Sequence, residues 1–189
     1  AGFEITFPNA ITREGVMGSE WNGWTNFVTP VHNLTIPFTR MVSGSLDYEP
    51  GLLENSQEES FKNTWGRPMS LGTRAHQLAM YIVYDNPLQY FVGNPSQGRK
   101  EPEFMNFFGS LPTTWEETII LDGIPGEYII TARLKGGIWY LGAMTDWTER
   151  EINVDLSPLG INHYDLEGVI DGVNANEYAS DYQWLHSSA

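Results

Sequence analysis

The sequence predicts an α/β segment followed by a small antiparallel β domain. Two changes of pattern carry this prediction. From Ser70 to Asn86 apolar residues recur at helical spacing, whereas from Gly126 onward they alternate at a period of two. Helices therefore lie upstream of about residue 112 and strands downstream, the order expected where an α/β domain ends and a β domain begins. The 189 residues, with seven Trp, nine Tyr and nine Phe, are enough to bury a core in one large or two small domains.

Residues 1–35 are rich in turn formers, and Trp21, Trp24 and Phe27 argue against disorder there. Two acids, Glu14 and Glu20, are set among glycines in REGVMGSEW. Ile36–Val42 (IPFTRMV) reads as a short strand opening into a glycine-rich loop, SGSLDYEPG, that carries Asp47 and Tyr48. In parallel α/β folds ligands meet loops at the carboxyl ends of strands. Residues 53–68 read as a polar surface excursion containing Trp65. Ala75, Leu78, Ala79, Ile82 and Val83 make the apolar stripe of a helix that Pro87 stops, with His76 on its surface or at its cap. A second helix starts at Pro102, with Glu101 and Glu103 near its positive end and Phe104, Phe107 and Phe108 on its buried face. Gly126–Leu134, Gly137–Met144 and Glu151–Leu156 read as strands of a meander, and Tyr164–Gly172 as another that runs into an Asp171-Gly172 turn.

Composition narrows the chemistry. A net charge of −14 sets the chain against nucleic acid and acidic membrane surfaces. No apolar run approaches the roughly 18 residues needed to span a bilayer. The absence of cysteine removes disulfides, thiolate metal sites and thiol catalysis. No phosphate loop, HExxH, GxSxG or EF-hand pattern is present. Carboxylates remain, and the stretch that concentrates them is Leu111–Leu121, LPTTWEETIIL. Glu116 and Glu117 stand there between Trp115 and an apolar run that reads as a buried strand. Successive strand residues face opposite ways, so one carboxylate faces the buried side unless both are solvated at the strand's end. A buried carboxylate needs a partner, a metal or a chemical use. Paired carboxylates among aromatics suit glycosidic cleavage, and oxygen ligands without His or Cys suit calcium.

Four stretches, FPNAITREGVMGSEW (7–21), PFTRMVSGSLDYEPG (37–51), GTRAHQLAMYIVYDNPLQYFVGNP (72–95) and PTTWEETIILDGIPGEYIITARLKGGIWYLGAMTDWTERE (112–151), resemble glycoside hydrolase family 97. The resemblance runs in the family's order from residue 5 to about 175. It implies an exo-acting, calcium-using α-glucosidase or α-galactosidase with an N-terminal sandwich, a (β/α)8 barrel and a C-terminal β domain. This chain resembles the C-terminal part. Residues 1–122 would be the end of the barrel, 123–189 an incomplete C-terminal β domain, and the N-terminal part of the same polypeptide would be missing.

By that resemblance Glu117, in W-E-E-T where the family commonly has W-D-E-T, is the expected general acid. Glu14 and Glu20 match acids of an E-G-V-x-G-x-E loop, and at least one would serve as base, metal or sugar contact. Asp47, Tyr48 and Trp115 are expected to bind substrate, and Glu103 and Glu117 to contribute to the calcium shell. An oligosaccharide substrate and a periplasmic or secreted location are also implied. A non-catalytic carbohydrate-binding or structural β module, stacking sugars on Trp115, Trp139, Tyr140 and Trp147, is the alternative, and the chain alone is expected to be inactive.

Overall fold

Thr73 starts the helix around which the chain packs. Its side chain accepts a hydrogen bond from the amide of His76 at 3.1 Å, capping a helix over Arg74–Val83. The computed structural model describes residues 6–51, 53–160 and 162–188. In chain order its helices are α1 (Pro30–Thr35), α2 (Arg74–Val83), a single turn α3 (Pro95–Gly98) and α4 (Pro102–Ser110). The strands are β1 (Asn55–Ser56), β2 (Ser70–Leu71), β3 (Glu117–Ile124), β4 (Tyr128–Lys135), β5 (Ile138–Thr145), β6 (Asp165–Asp171) and β7 (Tyr182–Ser188). No described helix is long and apolar enough to cross a membrane.

Strands β3, β4 and β5 form an antiparallel meander, and β6 and β7 a separate antiparallel hairpin. Upstream, pairing is short and mostly parallel: β1 with β2, Tyr48 with Gln89, and Gly51 with Val92, with one antiparallel bridge between Ser56 and Gly72. The order of helices first and antiparallel strands last is the expected one. The stretch WEETIIL does not end a parallel array. It opens β3, which pairs antiparallel with β4, Glu117 opposite Leu134 and Thr118 opposite Arg133.

Instead of one apolar stripe, α2 is closed in from all sides. Met80, Val83 and Tyr84 join Leu34, Leu46, Tyr48, Ile129 and Met144 in one core. Leu78, Tyr81 and Ile82 join Leu53, Phe104 and Leu111 in a second. A helix buried on every face is a wall shared by two cores. Gly142 on β5 lets it approach, since a Cβ there would lie 2.9–3.0 Å from Val83 Cγ2, Ala79 O and Ile82 Cβ. Arg133 on β4 donates to the Val83 carbonyl at 2.9 Å and to Thr118 Oγ1 at 3.0 Å, fastening sheet to helix.

Three expectations change. Ile36–Val42 is not a strand: Ile36–Phe38 and Arg40–Ser43 are 3-10 turns continuing from α1. Pro37 has no amide to give a sheet ladder, and its fixed φ suits a first helical turn. Glu151–Leu156 alternates in burial but finds no partner strand, and Asp155 instead turns the chain by accepting from the Ser157 amide at 2.9 Å. His76 is buried rather than at the surface. In addition, β7 (YQWLHSS) closes the hairpin beyond the Asp171-Gly172 turn, where its polar residues mask the alternation.

Candidate active site

Residues 13–23 and 40–51 form two loops fastened by one side chain. Arg40 donates to the carbonyls of Glu14 (2.9 Å), Arg13 (2.5 Å), Gly44 (3.0 Å) and Ser45 (3.1 Å). The Asp47 amide donates to the Arg13 carbonyl at 3.1 Å. Gly15, at φ +62°, presents its open face to Arg40 Nε, where a Cβ would sit at 3.1 Å. The first loop then tightens into a 3-10 turn, Ser19–Gly23, that holds Glu20.

These loops bring acids together. A Cβ at Gly18 would collide with Glu49 Oε1 and lie 2.5 Å from Glu20 Oε2, so both carboxylates reach into the place a side chain there would take. Glu20 Oε2 is buried without a hydrogen-bond partner, and so is Asp47 Oδ1. Burial pushes the Glu20 carboxyl above its ordinary range. Its own amide partly opposes this, and the nearby negative charge of Glu14 adds to it. Asp47 is likewise raised by burial and pulled back by Arg40. Glu14 itself is exposed.

Behind the acids lies a buried polar network. Gln77 on α2 donates to the Leu71 carbonyl at 2.9 Å and accepts from the Gly51 amide at 2.9 Å and Ser19 Oγ at 3.5 Å. The Tyr48 hydroxyl donates to Asn33 Oδ1 at 2.8 Å, Asn33 Nδ2 lies 3.2 Å from His76 Nε2, and the Tyr84 hydroxyl donates to the Asn33 carbonyl at 2.8 Å. Burial holds His76 down to about 4, against a smaller opposing contribution from the Thr145 backbone. It is therefore neutral, and Nε2 accepts from the Asn33 amide. Burial also raises the Tyr48 hydroxyl, with Glu20 adding to the rise. Tyr48 is fully enclosed, so it braces the Glu20 loop from behind and offers no surface to a ligand.

The remaining predicted residues lie elsewhere. Glu117 is exposed on β3. Glu116 is exposed too, with the Gly136 amide donating to it at 3.3 Å and Lys135 Nζ at 3.8 Å. Trp115 meets Tyr140 edge-to-face at 5.4 Å and lies under the Arg133 guanidinium at 5.8 Å, a packing role within the β domain. Trp139 and Tyr140 are half-buried, which leaves little of a stacking platform there. Glu103 is exposed on the first turn of α4. Among the described residues no group of three or more His, Asp or Glu side chains is placed to hold a metal ion. Glu103 and Glu117 thus form no metal site with a third acid among the described residues.

Glu49 was not foreseen. The signal was present in DYEPG, because residues two apart on extended backbone face the same side, so a ligand-facing Asp47 brings Glu49 with it.

Residues 114–188 match the family model described as "Glycosyl-hydrolase 97 C-terminal, oligomerisation". The chain is 43% identical over 185 residues to a retaining α-galactosidase of Bacteroides thetaiotaomicron, covering 97% of this chain and 28% of that protein. It is 32% identical over 171 residues to a probable retaining α-galactosidase of Streptomyces bingchenggensis, covering 90% of this chain and 25% of that one. A solved glycoside hydrolase family 97 enzyme of Pseudoalteromonas sp. strain K8, in complex with acarbose, superposes with a TM-score of 0.82 at 32% identity, over 100% of this chain and 30% of that one. A variant of the same enzyme in complex with panose superposes equally well. The chain thus spans between a quarter and a third of the length of these relatives.

Proposed function

Because the chain belongs to glycoside hydrolase family 97, we propose that it supplies part of the active site of an α-glycosidase. The reaction is release of a terminal α-linked sugar from an oligosaccharide, by carboxylate acid–base chemistry. Two similar relatives are named a retaining and a probable retaining α-galactosidase, which favours galactose and retention. The short parallel pairings around α2 support reading the upstream part as the end of a barrel. The rest of the polypeptide would close that barrel and bring the carboxylate that attacks the anomeric carbon. A periplasmic or secreted location rests on the family resemblance.

The observation that carries the proposal is the buried, unpartnered Oε2 of Glu20, on a carboxyl raised by burial. A general acid must still hold its proton near neutral pH. Burial moves Glu20 in that direction, whereas Glu117 is exposed on β3. Glu20 gives its proton to the leaving oxygen, and in a retaining enzyme takes one back from water in the second step. Burial favours the proton on Glu20, and the charge of Glu14 adds to it.

Calcium takes six to eight oxygen ligands. Glu49, beside the acid, would give a hard oxygen to such an ion, the remainder coming from outside this chain. A bound ion would supply positive charge beside the reacting sugar.

The experiment is Glu20→Gln in the full-length enzyme, with Glu117→Gln in parallel. Glu20→Gln is expected to lose about 100-fold or more in kcat on glycosides with poor leaving groups, and much less on activated aryl glycosides. Glu117→Gln is expected to stay close to the parent on both. Equal loss on both substrates by Glu20→Gln, or a leaving-group-dependent loss by Glu117→Gln, would overturn the assignment.

A further inference from the structure

Directly after Glu20 a ladder of three indole rings leads outward. Trp21 and Trp24 have ring centroids 5.2 Å apart, and Trp24 and Trp65 5.0 Å apart, each pair tilted by about 45°. Trp65 is 76% exposed and Trp24 43%. Single exposed aromatics are ordinary, but a contiguous run that begins one residue from a candidate acid is not scattered surface.

The ladder is also built. Trp65 lies on the excursion 57–68, which Asn63 ties to the Glu20 loop by donating to the carbonyls of Asn22 at 3.2 Å and Thr25 at 2.6 Å. Trp65 lies close to Gly23, where an added Cβ would sit 3.8 Å from its Cε3. Arg67 anchors the far side of the excursion on Glu54 at 2.5 Å. Two loops distant in sequence are thus held so that their indoles continue one another in open view.

We infer that this ladder is the binding platform for the leaving-group saccharide, the sugar ring next to the bond being broken. The inference rests on Glu20 as the acid. An acid that protonates the leaving oxygen has the leaving sugar beside it, and the ladder starts at the next residue. A pyranose has an apolar C–H face that stacks on an indole, as apolar surface does on aromatic rings generally. Tilted rings suit a saccharide whose successive rings turn about their linkage.

The test uses the full-length enzyme and two substrates, an α-galactosyl trisaccharide and α-galactosyl fluoride, whose leaving group has no sugar. Trp65→Ala and Trp24→Ala should each lower the trisaccharide-to-fluoride ratio of kcat/KM by about tenfold, mainly through KM. Trp65→Tyr, which keeps a ring, should restore most of the ratio. An unmoved ratio in both alanine variants, with the unmodified enzyme active on both substrates, would overturn the platform and leave the glycosidase reading standing. Turnover of neither substrate by the unmodified enzyme would overturn both.

Discussion

Glu20 Oε2 and Glu49 Oε1 meet across Gly18, where one added methyl group would press on both carboxylates. Glycine is required there for the space it leaves, since its backbone is extended, at φ −87° and ψ −179°. Gly18→Ala is therefore expected to displace Glu20 without unfolding the protein. Displacements of about 1 Å at a reacting group cost on the order of 100-fold, and kcat should fall by about that factor while the urea midpoint changes little. A variant with parental kcat would show that Glu20 tolerates movement, which an acid positioned for proton transfer does not.

Glu14 acts on Glu20 through charge. Its negative field adds to the burial that holds the Glu20 proton, so removing that charge lets Glu20 ionise at lower pH. A reaction that needs protonated Glu20 loses rate as pH rises through its pKa. Glu14→Gln should thus move the alkaline limb of the kcat/KM profile to lower pH and leave the rate at acidic pH nearly intact. A limb that stays in place or moves upward would remove Glu14 from this role.

Arg40 holds the two acid-bearing loops together through a planar fork that donates to four backbone carbonyls. Lysine keeps the charge but lacks the fork. Arg40→Lys should lower kcat by about tenfold or more through loop misplacement. Because the side chain is half-buried and is replaced by another long cation, stability should change by only about 1 kcal/mol. Loss of fold rather than of rate would show that the arginine's first duty is stability.

His76 predicts how the protein responds to acid. Its folded pKa is held down to about 4 from an ordinary 6.5. The stability it contributes is complete above 6.5 and is lost as pH falls toward 4, because the unfolded chain takes up the proton first. Urea midpoints should fall across this window. His76→Gln, which can still accept from Asn33, should flatten the slope between pH 6.5 and 4. An unchanged slope would place the acid sensitivity on other groups.

The order of the fold was legible because it lay in periodicity: 3.6 for α2, 2 for β4 and β5. α4 was legible from Pro102. What periodicity could not show was enclosure. The same Leu78, Ile82 and Val83 that read as one stripe belong to a helix buried all round, because Tyr81, Met80 and Gln77 face other partners. In the site, the E-G-V-x-G-x-E spacing revealed Glu14 and Glu20, while their environments were set by Tyr48, Asn33 and Gln77 from three distant segments. The pair Glu116 and Glu117 stood out because an apolar run follows them. That run is a half-exposed edge strand, with Ile120 54% exposed, so its neighbours are solvated instead of buried. Exposure of an edge depends on what pairs with it, and a single strand does not record that.

The enclosure of α2 has a consequence for swapping parts between relatives. Its C-terminal carbonyl at Val83 is fastened by Arg133 of the meander, while its Gln77 and His76 brace the acid-bearing loops. Melting of the meander would strip α2 of one wall and loosen Glu20 from behind, so sheet and acids should open as one cooperative unit. A chimera spliced at the start of β3 would divide that unit and join halves shaped for different helices. A junction upstream of residue 13 would carry the acid-bearing loops and α2 together with both of its cores, and is the cut from which a hybrid should inherit a working acid.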